Sequence, residues 1–290
     1  MSRQGAARLN SPWVWIPDDL EAAWELKQQL GEEARFIAGG TLMQTQWQKG
    51  MDCPHHLISL EKIKEMQGCE KVRFNGEAGT RIGALTKLTA CKDHPSLLKN
   101  IPLLVEALKN VAAPAVRNRA TLGGNIAGGF GDLIPALLAL DATLSFYDDG
   151  KTKLKRLSDC LGQSEGEIIT AIFVPDDKEL NGESCFYRKL GYREAFTPSI
   201  VTISGRCQLT DQKEIKDIRL AAGGSTTPPQ RLAECERLAE GSILSHELLR
   251  NLFQKIKEEF TASTDAFTTA EYKKTAAANM MVSRLASIAG

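Results

Sequence analysis

The order DDLEAAWELKQQL (18–30) sets Leu20, Ala23 and Trp24 on one side of a helical wheel, which predicts an amphipathic helix. Asp18 or Asp19 offers the short acceptor that satisfies free amides of a first turn, and Leu30 with Gly31 marks the end. ARFIAGG (34–40) reads as a short strand running into glycines, and HLISL (56–60) as another strand. Residues 71–85 alternate as KVRFNGEAG and TRIGAL, strands interrupted by glycine. IPLLVEALKNVAA (101–113) has helical spacing and is halted by Pro114, whose ring restricts the residue before it. The apolar run LIPALLAL (133–140) predicts a buried helix, followed by a strand from Asp141 to Tyr147 that enters a DDG turn at 148–150. EIITAIFVP (167–175) and PSIVTISGRCQL (198–209) predict further strands, and DDKELNGESC (176–185) between them is polar and turn-rich, the best domain boundary on composition. IRLAAGGSTTPPQR (218–231) then gives way to the helical stretches ELLRNLFQKIKEEF and AEYKKTAAANMMVSRLASIA, so the last third is expected to be a few strands packed by helices.

At 290 residues the chain lies near the length at which one core commonly divides into two or more domains. Its 36 basic residues balance 36 acidic ones, which argues against an extended nucleic-acid surface. The basic run KTKLKR (151–156) lacks the interleaved aromatics of a single-strand platform and is expected to face water or a partner subunit. Seven cysteines, at positions 53, 69, 91, 160, 185, 207 and 235, form no CxxC pair, so no locally spaced iron–sulfur or zinc site is expected. The odd count and the absence of a charged-then-apolar leader favour a reducing, cytoplasmic compartment. LIPALLAL is far shorter than a membrane span. His55 and His56 beside Cys53 read as an ordinary loop near a strand, and neither His94 nor His246 points to a catalytic dyad. Trp13, Trp15 and Trp24 read as core or as an interface.

The chemical signal lies in glycine. Five glycines fall between Gly123 and Gly131 in RNRATLGGNIAGGFGDLIPALLALDA (117–142), and a second cluster stands in RFIAGGTLMQ (35–44). Such density removes side chains where backbone turns sharply or approaches a ligand. AGGT (38–41) lacks the GxGxxG spacing of a doubly wound dinucleotide site, and no GxxxxGK[ST] loop occurs. Consecutive amides in a glycine turn can instead form an anion nest suited to a pyrophosphate. Residues 36–43 and 121–125 each offer such a strip, with Thr41, Thr121 and Asn125 adding side-chain donors. Tight turns at sheet edges account for the same glycines equally well, and AAGGST (221–226) is read as structural.

FIAGGTLM, TRIGALT, AVRNRATLGGNIA, GDLIPALLALDA and EYKK, in this order and at these separations, resemble the FAD-binding medium subunits of the xanthine dehydrogenase and carbon monoxide dehydrogenase family of molybdenum hydroxylases. The resemblance covers nearly the whole chain. It implies an α+β protein: a vanillyl-alcohol-oxidase (PCMH) type FAD-binding domain over residues 1–178, with α/β subdomains of about 1–60 and 61–178. A CO-dehydrogenase-flavoprotein-type C-terminal domain of three-stranded sheet and helices would follow over residues 186–290. It further implies that Phe36, Ile37, Ala38, Gly39, Gly40, Thr41, Leu42 and Met43, together with Thr121, Leu122, Gly123, Gly124 and Asn125, line the FAD pyrophosphate and ribityl region. Asp132 would bind the adenosine side, Ile169 would supply backbone contacts around the flavin, and Val111 stands where some relatives place an aromatic near the ring. Lys189, in YRKLGYRE (187–194), would lie beside the isoalloxazine, where its charge would favour an anionic reduced ring. Two departures are visible: Leu42 follows AGGT where the family often has an acidic residue, and Thr197, Pro198, Ser199 and Ile200 stand where relatives read Asp-Ile-Ala.

The function implied is an electron outlet. A large partner subunit with the molybdenum cofactor would oxidise substrate, and a small subunit with two [2Fe–2S] clusters would pass electrons to FAD here and on to NAD+, with oxygen or another acceptor as the alternative. A heterotrimer or its dimer is expected, with xanthine as the first substrate to consider. This chain would contribute no catalytic side chain and no metal ligand. Carbon monoxide, aldehydes and N-heteroaromatics are alternative substrates. A self-contained FAD-dependent reductase would need a substrate pocket and proton donor in the second domain, where no such constellation is seen between 186 and 290. A nonenzymatic scaffold retaining only the fold is the remaining alternative.

Overall fold

The computed structural model describes residues 11–74, 76–161, 166–176, 185–194 and 197–289. The polar segment expected as a boundary at 176–185 falls, apart from its two ends, outside the described residues.

The chain opens with a small parallel sheet of order β1-β3-β2, formed by β1 (Trp13–Trp15), β2 (Ala34–Ile37) and β3 (His56–Ser59). Helix α1 (Leu20–Leu30) crosses between β1 and β2, and Asp19 caps it by accepting from the Ala22 amide at 2.8 Å. Helix α2 (Thr41–Gln48) follows β2 directly through the AGG turn.

A five-stranded sheet of order β4-β5-β8-β6-β7 comes next. It comprises β4 (Cys69–Phe74), β5 (Glu77–Gly83), β6 (Thr143–Asp148), β7 (Lys151–Arg156) and β8 (Ile168–Pro175), all antiparallel to their neighbours. The β6–β7 hairpin closes through Asp149 and Gly150, both at positive φ, as the two-residue DG turn requires. The basic KTKLKR run is the edge strand β7, where lysines discourage pairing with another chain.

Between β5 and β6 the chain forms six short helices: α3 (Leu88–Asp93), α4 (Pro95–Asn100), α5 (Pro102–Asn110), α6 (Pro114–Arg117), α7 (Leu122–Ala127) and α8 (Ile134–Ala139). The helix expected to run to residue 113 ends at Asn110, because Ala112 turns into the left-handed region at φ 53°. All six residues of α8 are buried, as its uniformly apolar sequence requires. It is covered by the C-terminal sheet, packing on three of that sheet's strands.

After α9 (Leu157–Cys160) and β8, the C-terminal part forms a four-stranded antiparallel sheet of order β12-β11-β10-β9. Its strands are β9 (Cys185–Gly191), β10 (Ser199–Leu209), β11 (Ile215–Gly224) and β12 (Thr227–Arg231). The resemblance led to an expectation of three strands. The fourth, TPPQR, reads locally as a turn, but an edge strand tolerates Pro228 and Pro229, and its register shifts opposite Ala222 and Gly224. Helices α10 (Ala233–Ala239), α11 (His246–Glu259) and α12 (Ala270–Ala289) complete the chain.

Two apolar cores result. One joins the first two sheets and the helices between them, and the other joins β9–β11 to α10–α12. Tyr187 and Ala221 belong to the first core although they lie on the C-terminal sheet, so that sheet packs on both faces. No described helix is long and apolar enough to cross a membrane.

Candidate functional site

The two glycine segments, eighty residues apart in sequence, meet. A Cβ on Gly39 would stand 2.2 Å from the Arg119 carbonyl oxygen and 3.0 Å from the Ala120 Cα, so only glycine lets the AGG turn rest on the 119–120 backbone. Lys87 donates to the same Arg119 carbonyl at 3.2 Å, and Leu88 donates its amide to Ala120 at 2.9 Å. On the other side of the turn, Leu42 reaches Gly128, where an added Cβ would lie 2.7 Å from its Cδ2.

The two strips differ in what they offer a ligand. Gly40 takes φ 70° and precedes α2 without a side-chain cap. Among the described residues no protein group accepts from the amides of Gly39, Gly40, Thr41 and Leu42. A helix start with unsatisfied amides and its dipole aimed outward fits a pyrophosphate.

The second strip is not a nest. Leu122 donates to Thr86 at 3.1 Å, Gly123 to Ala84 at 2.8 Å, Gly124 to the Thr121 hydroxyl at 3.1 Å, and Asn125 to the Thr121 carbonyl at 3.0 Å. Its glycines serve close packing instead, since a Cβ on Gly123 would lie 2.6 Å from that of Ala84. The expectation of two amide strips is therefore corrected to one strip facing a packed wall. Of the residues on that wall, Asn125 retains side-chain donors. Its Oδ1 accepts from Leu133 at 3.4 Å, and this folds the GGFG loop back so tightly that Gly131 has no room for a Cβ.

The remaining expected residues fall at two places. Ile169 lies on β8 beside Thr170, whose carbonyl accepts from Ala84, the residue under Gly123. Val111 is buried at the end of α5. Asp132 and Lys189 form an ion pair at 2.7 Å, with side chains only 15% and 11% exposed. The resemblance implies roles for them at opposite ends of an extended dinucleotide, and here the two side chains touch, so a bound ligand would meet them together. Asp132 Oδ1 also accepts from Ser199 at 2.6 Å and Thr202 at 3.2 Å. With three of about four acceptor positions filled, this carboxylate ties the GGFG loop to the C-terminal sheet. Its charge also balances that of Lys189.

Several contributors carried no sequence signal of their own. Ser199 and Thr202 are 67 and 70 residues from the aspartate they bond. The buried Tyr187 donates to the Asp132 carbonyl at 3.1 Å; burial, then the nearby Asp132 charge, push its phenol well above the ordinary value. Arg117 stood inside AVRNRA without an assigned role; it donates to the carbonyls of Val111 and Ala112 at 2.9 and 2.6 Å. Among the described residues no cluster of three or more histidine, cysteine or acidic side chains could hold a metal ion.

Residues 7–177 match the family described as the FAD binding domain in molybdopterin dehydrogenase, and residues 186–288 match the CO dehydrogenase flavoprotein C-terminal domain. The chain belongs to this family of FAD subunits. The 6-hydroxypseudooxynicotine dehydrogenase complex subunit alpha of Paenarthrobacter nicotinovorans is 30% identical over 247 residues, covering 80% of this chain and 79% of that one. The xanthine dehydrogenase FAD-binding subunit of Escherichia coli O157:H7 is 25% identical over 236 residues, covering 78% and 79%. Among solved structures, a carbon monoxide dehydrogenase from Hydrogenophaga pseudoflava superposes with a TM-score of 0.87 at 24% identity, covering 96% of each chain, which shows the fold. The residues of the first strip thus belong to an FAD-binding domain, and an uncapped helix start beside a glycine-only contact suits that cofactor's diphosphate.

Proposed function

We propose that this chain is the electron outlet of a multisubunit molybdenum-dependent dehydrogenase. It would accept electrons from [2Fe–2S] clusters of a small partner subunit and deliver them to NAD+, while a large subunit with the molybdenum cofactor oxidises xanthine. The observation that carries the FAD part is the free amide strip at Gly39–Leu42, backed by the 119–120 backbone.

Bound FAD would supply a carrier that exchanges one or two electrons with its partners. The protein's part is positioning. The α2 amides and the Thr41 hydroxyl would hold the diphosphate, Asn125 would donate to the ribityl side, and Val111 with the Asp132–Lys189 pair would border the ring end. Two domains, residues 1–178 and 186–290, fit the separate cores and the sheet that covers α8.

Similarity does not select a substrate. Relatives at 25–30% identity bear names built on xanthine and on 6-hydroxypseudooxynicotine, consistent with substrate choice residing in a different subunit. The test is purification of the native complex and anaerobic assay with xanthine and NAD+. Near-stoichiometric yellow cofactor, copurifying iron–sulfur and molybdenum subunits, and NADH formation support the reading. A colourless chain that takes up no FAD overturns it. FAD without partners points to a self-contained flavoenzyme, and a complex inert to xanthine moves the substrate to carbon monoxide, an aldehyde or a different N-heteroaromatic.

A further inference from the structure

We propose that Arg117 is a positioning residue for the flavin site: its guanidinium locks a left-handed turn at Ala112 that sets the 110–120 arm against the AGG turn. The inference rests on the FAD reading above.

Among the described residues only four besides glycine take positive φ: Ala112, Asp141, Asp149 and Lys213. Ala112 has no polar side chain to stabilise that conformation, which the Cβ of an L-residue disfavours. The carbonyls of Val111 and Ala112 bracket its φ and ψ bonds. One Arg117 nitrogen, Nη1, takes both carbonyls, at 2.9 and 2.6 Å, so it fixes both torsions. The Nε of Arg117 is buried without an acceptor among the described residues, an uncompensated donor tolerated in favour of this geometry.

What the turn controls is the arm. At one end the Asn110 carbonyl accepts from Lys189 at 3.5 Å, beside the Asp132 pair, and Val111 is buried there. At the other end α6 delivers the Arg119 carbonyl to Gly39. A shift at Ala112 therefore moves the ring-side residue and the wall behind the amide strip together.

The experiment measures FAD uptake by the full chain stripped of cofactor, using flavin fluorescence for affinity and the visible absorption bands for environment. Arg117→Ala is expected to weaken FAD binding about tenfold or more and to shift the long-wavelength band. Arg117→Lys keeps a charged donor on a shorter stem without the planar fork and is expected to fall between. Glycine accepts φ 53° without strain, so Ala112→Gly in the Arg117→Ala background should recover most of the affinity and the wild-type bands. Recovery of a folded, FAD-binding protein by that double variant supports the proposal even where Arg117→Ala alone fails to fold. Wild-type affinity and bands in Arg117→Ala overturn it, as does a double variant no better than Arg117→Ala. A wild-type chain that takes up no FAD instead overturns the FAD reading, and this inference with it.

Discussion

Replacing Gly39 with alanine perturbs the closest approach in the site. The added carbon would sit 2.2 Å from the Arg119 oxygen, 2.8 Å from its carbonyl carbon and 3.0 Å from the Ala120 Cα, all backbone atoms that no rotamer change can move. Restoring an ordinary contact of about 3.4 Å requires the AGG turn and the 119–120 wall to part by roughly 1 Å, and overpacking of this kind costs about 1–3 kcal/mol. If the cradle must close around the diphosphate, that cost appears in binding as a loss of roughly 5- to 150-fold in FAD affinity. Gly39 is not at positive φ, so the effect is steric. Gly40 makes the contrast: at φ 70° its alanine is strained by about 1–2 kcal/mol but meets only the Ile37 side chain, at 3.2 Å. Gly68, at φ 87° with nothing within 4 Å, controls for backbone strain alone. FAD titration of the stripped chain, with thermal melts in parallel, should rank Gly39→Ala the most damaging to affinity, while Gly68→Ala lowers melting temperature and leaves affinity unchanged. A Gly39→Ala chain that binds FAD within twofold of wild type refutes the reasoning.

Three further outcomes are expected. Lys189→Met leaves Asp132 with only hydroxyl partners on its side chain and should cost about 2 kcal/mol in chemical denaturation, and adding Asp132→Asn should return part of that loss; strictly additive effects would show that the pair is not coupled. The hydrogen bond from the buried Lys273, then the Phe267 amide, hold the Asp265 carboxyl well below its ordinary value. A lowered folded-state value means this stabilisation is complete above the unfolded value of about 3.9 and disappears as pH falls toward the folded one. Melting temperature should therefore begin to drop below about pH 5 and keep falling through pH 3 in wild type, less steeply in Asp265→Asn, and parallel curves would count against it. Thr121→Ala removes the hydroxyl that caps α7 through the Gly124 amide and should cost about 1 kcal/mol of stability; a larger fall in FAD affinity than in stability would show that the hydroxyl also reaches the ligand.

Local spacing determined much on its own. The acidic cap of α1, which the sequence left to Asp18 or Asp19, the DG hairpin, the buried α8 and the strands around Ile58, Ile172 and Ile203 follow from periodicity and turn chemistry that act within a few residues. The glycine clusters marked where backbone approaches backbone, and their order with the flanking motifs pointed to the FAD-binding family. What an amide strip can still donate was decided only by tertiary contacts. The two glycine turns ended as one free strip and one saturated wall because Ala84 and Thr86, nearly forty residues upstream of the second, took two of its donors, while the local cap residue Thr121 took two more. Likewise Asp132 and Lys189, fifty-seven residues apart, acquired each other through folding that no local pattern encodes. Hydrogen-bond capacity is finite, so which donors remain for a ligand is known only after every long-range partner has been placed.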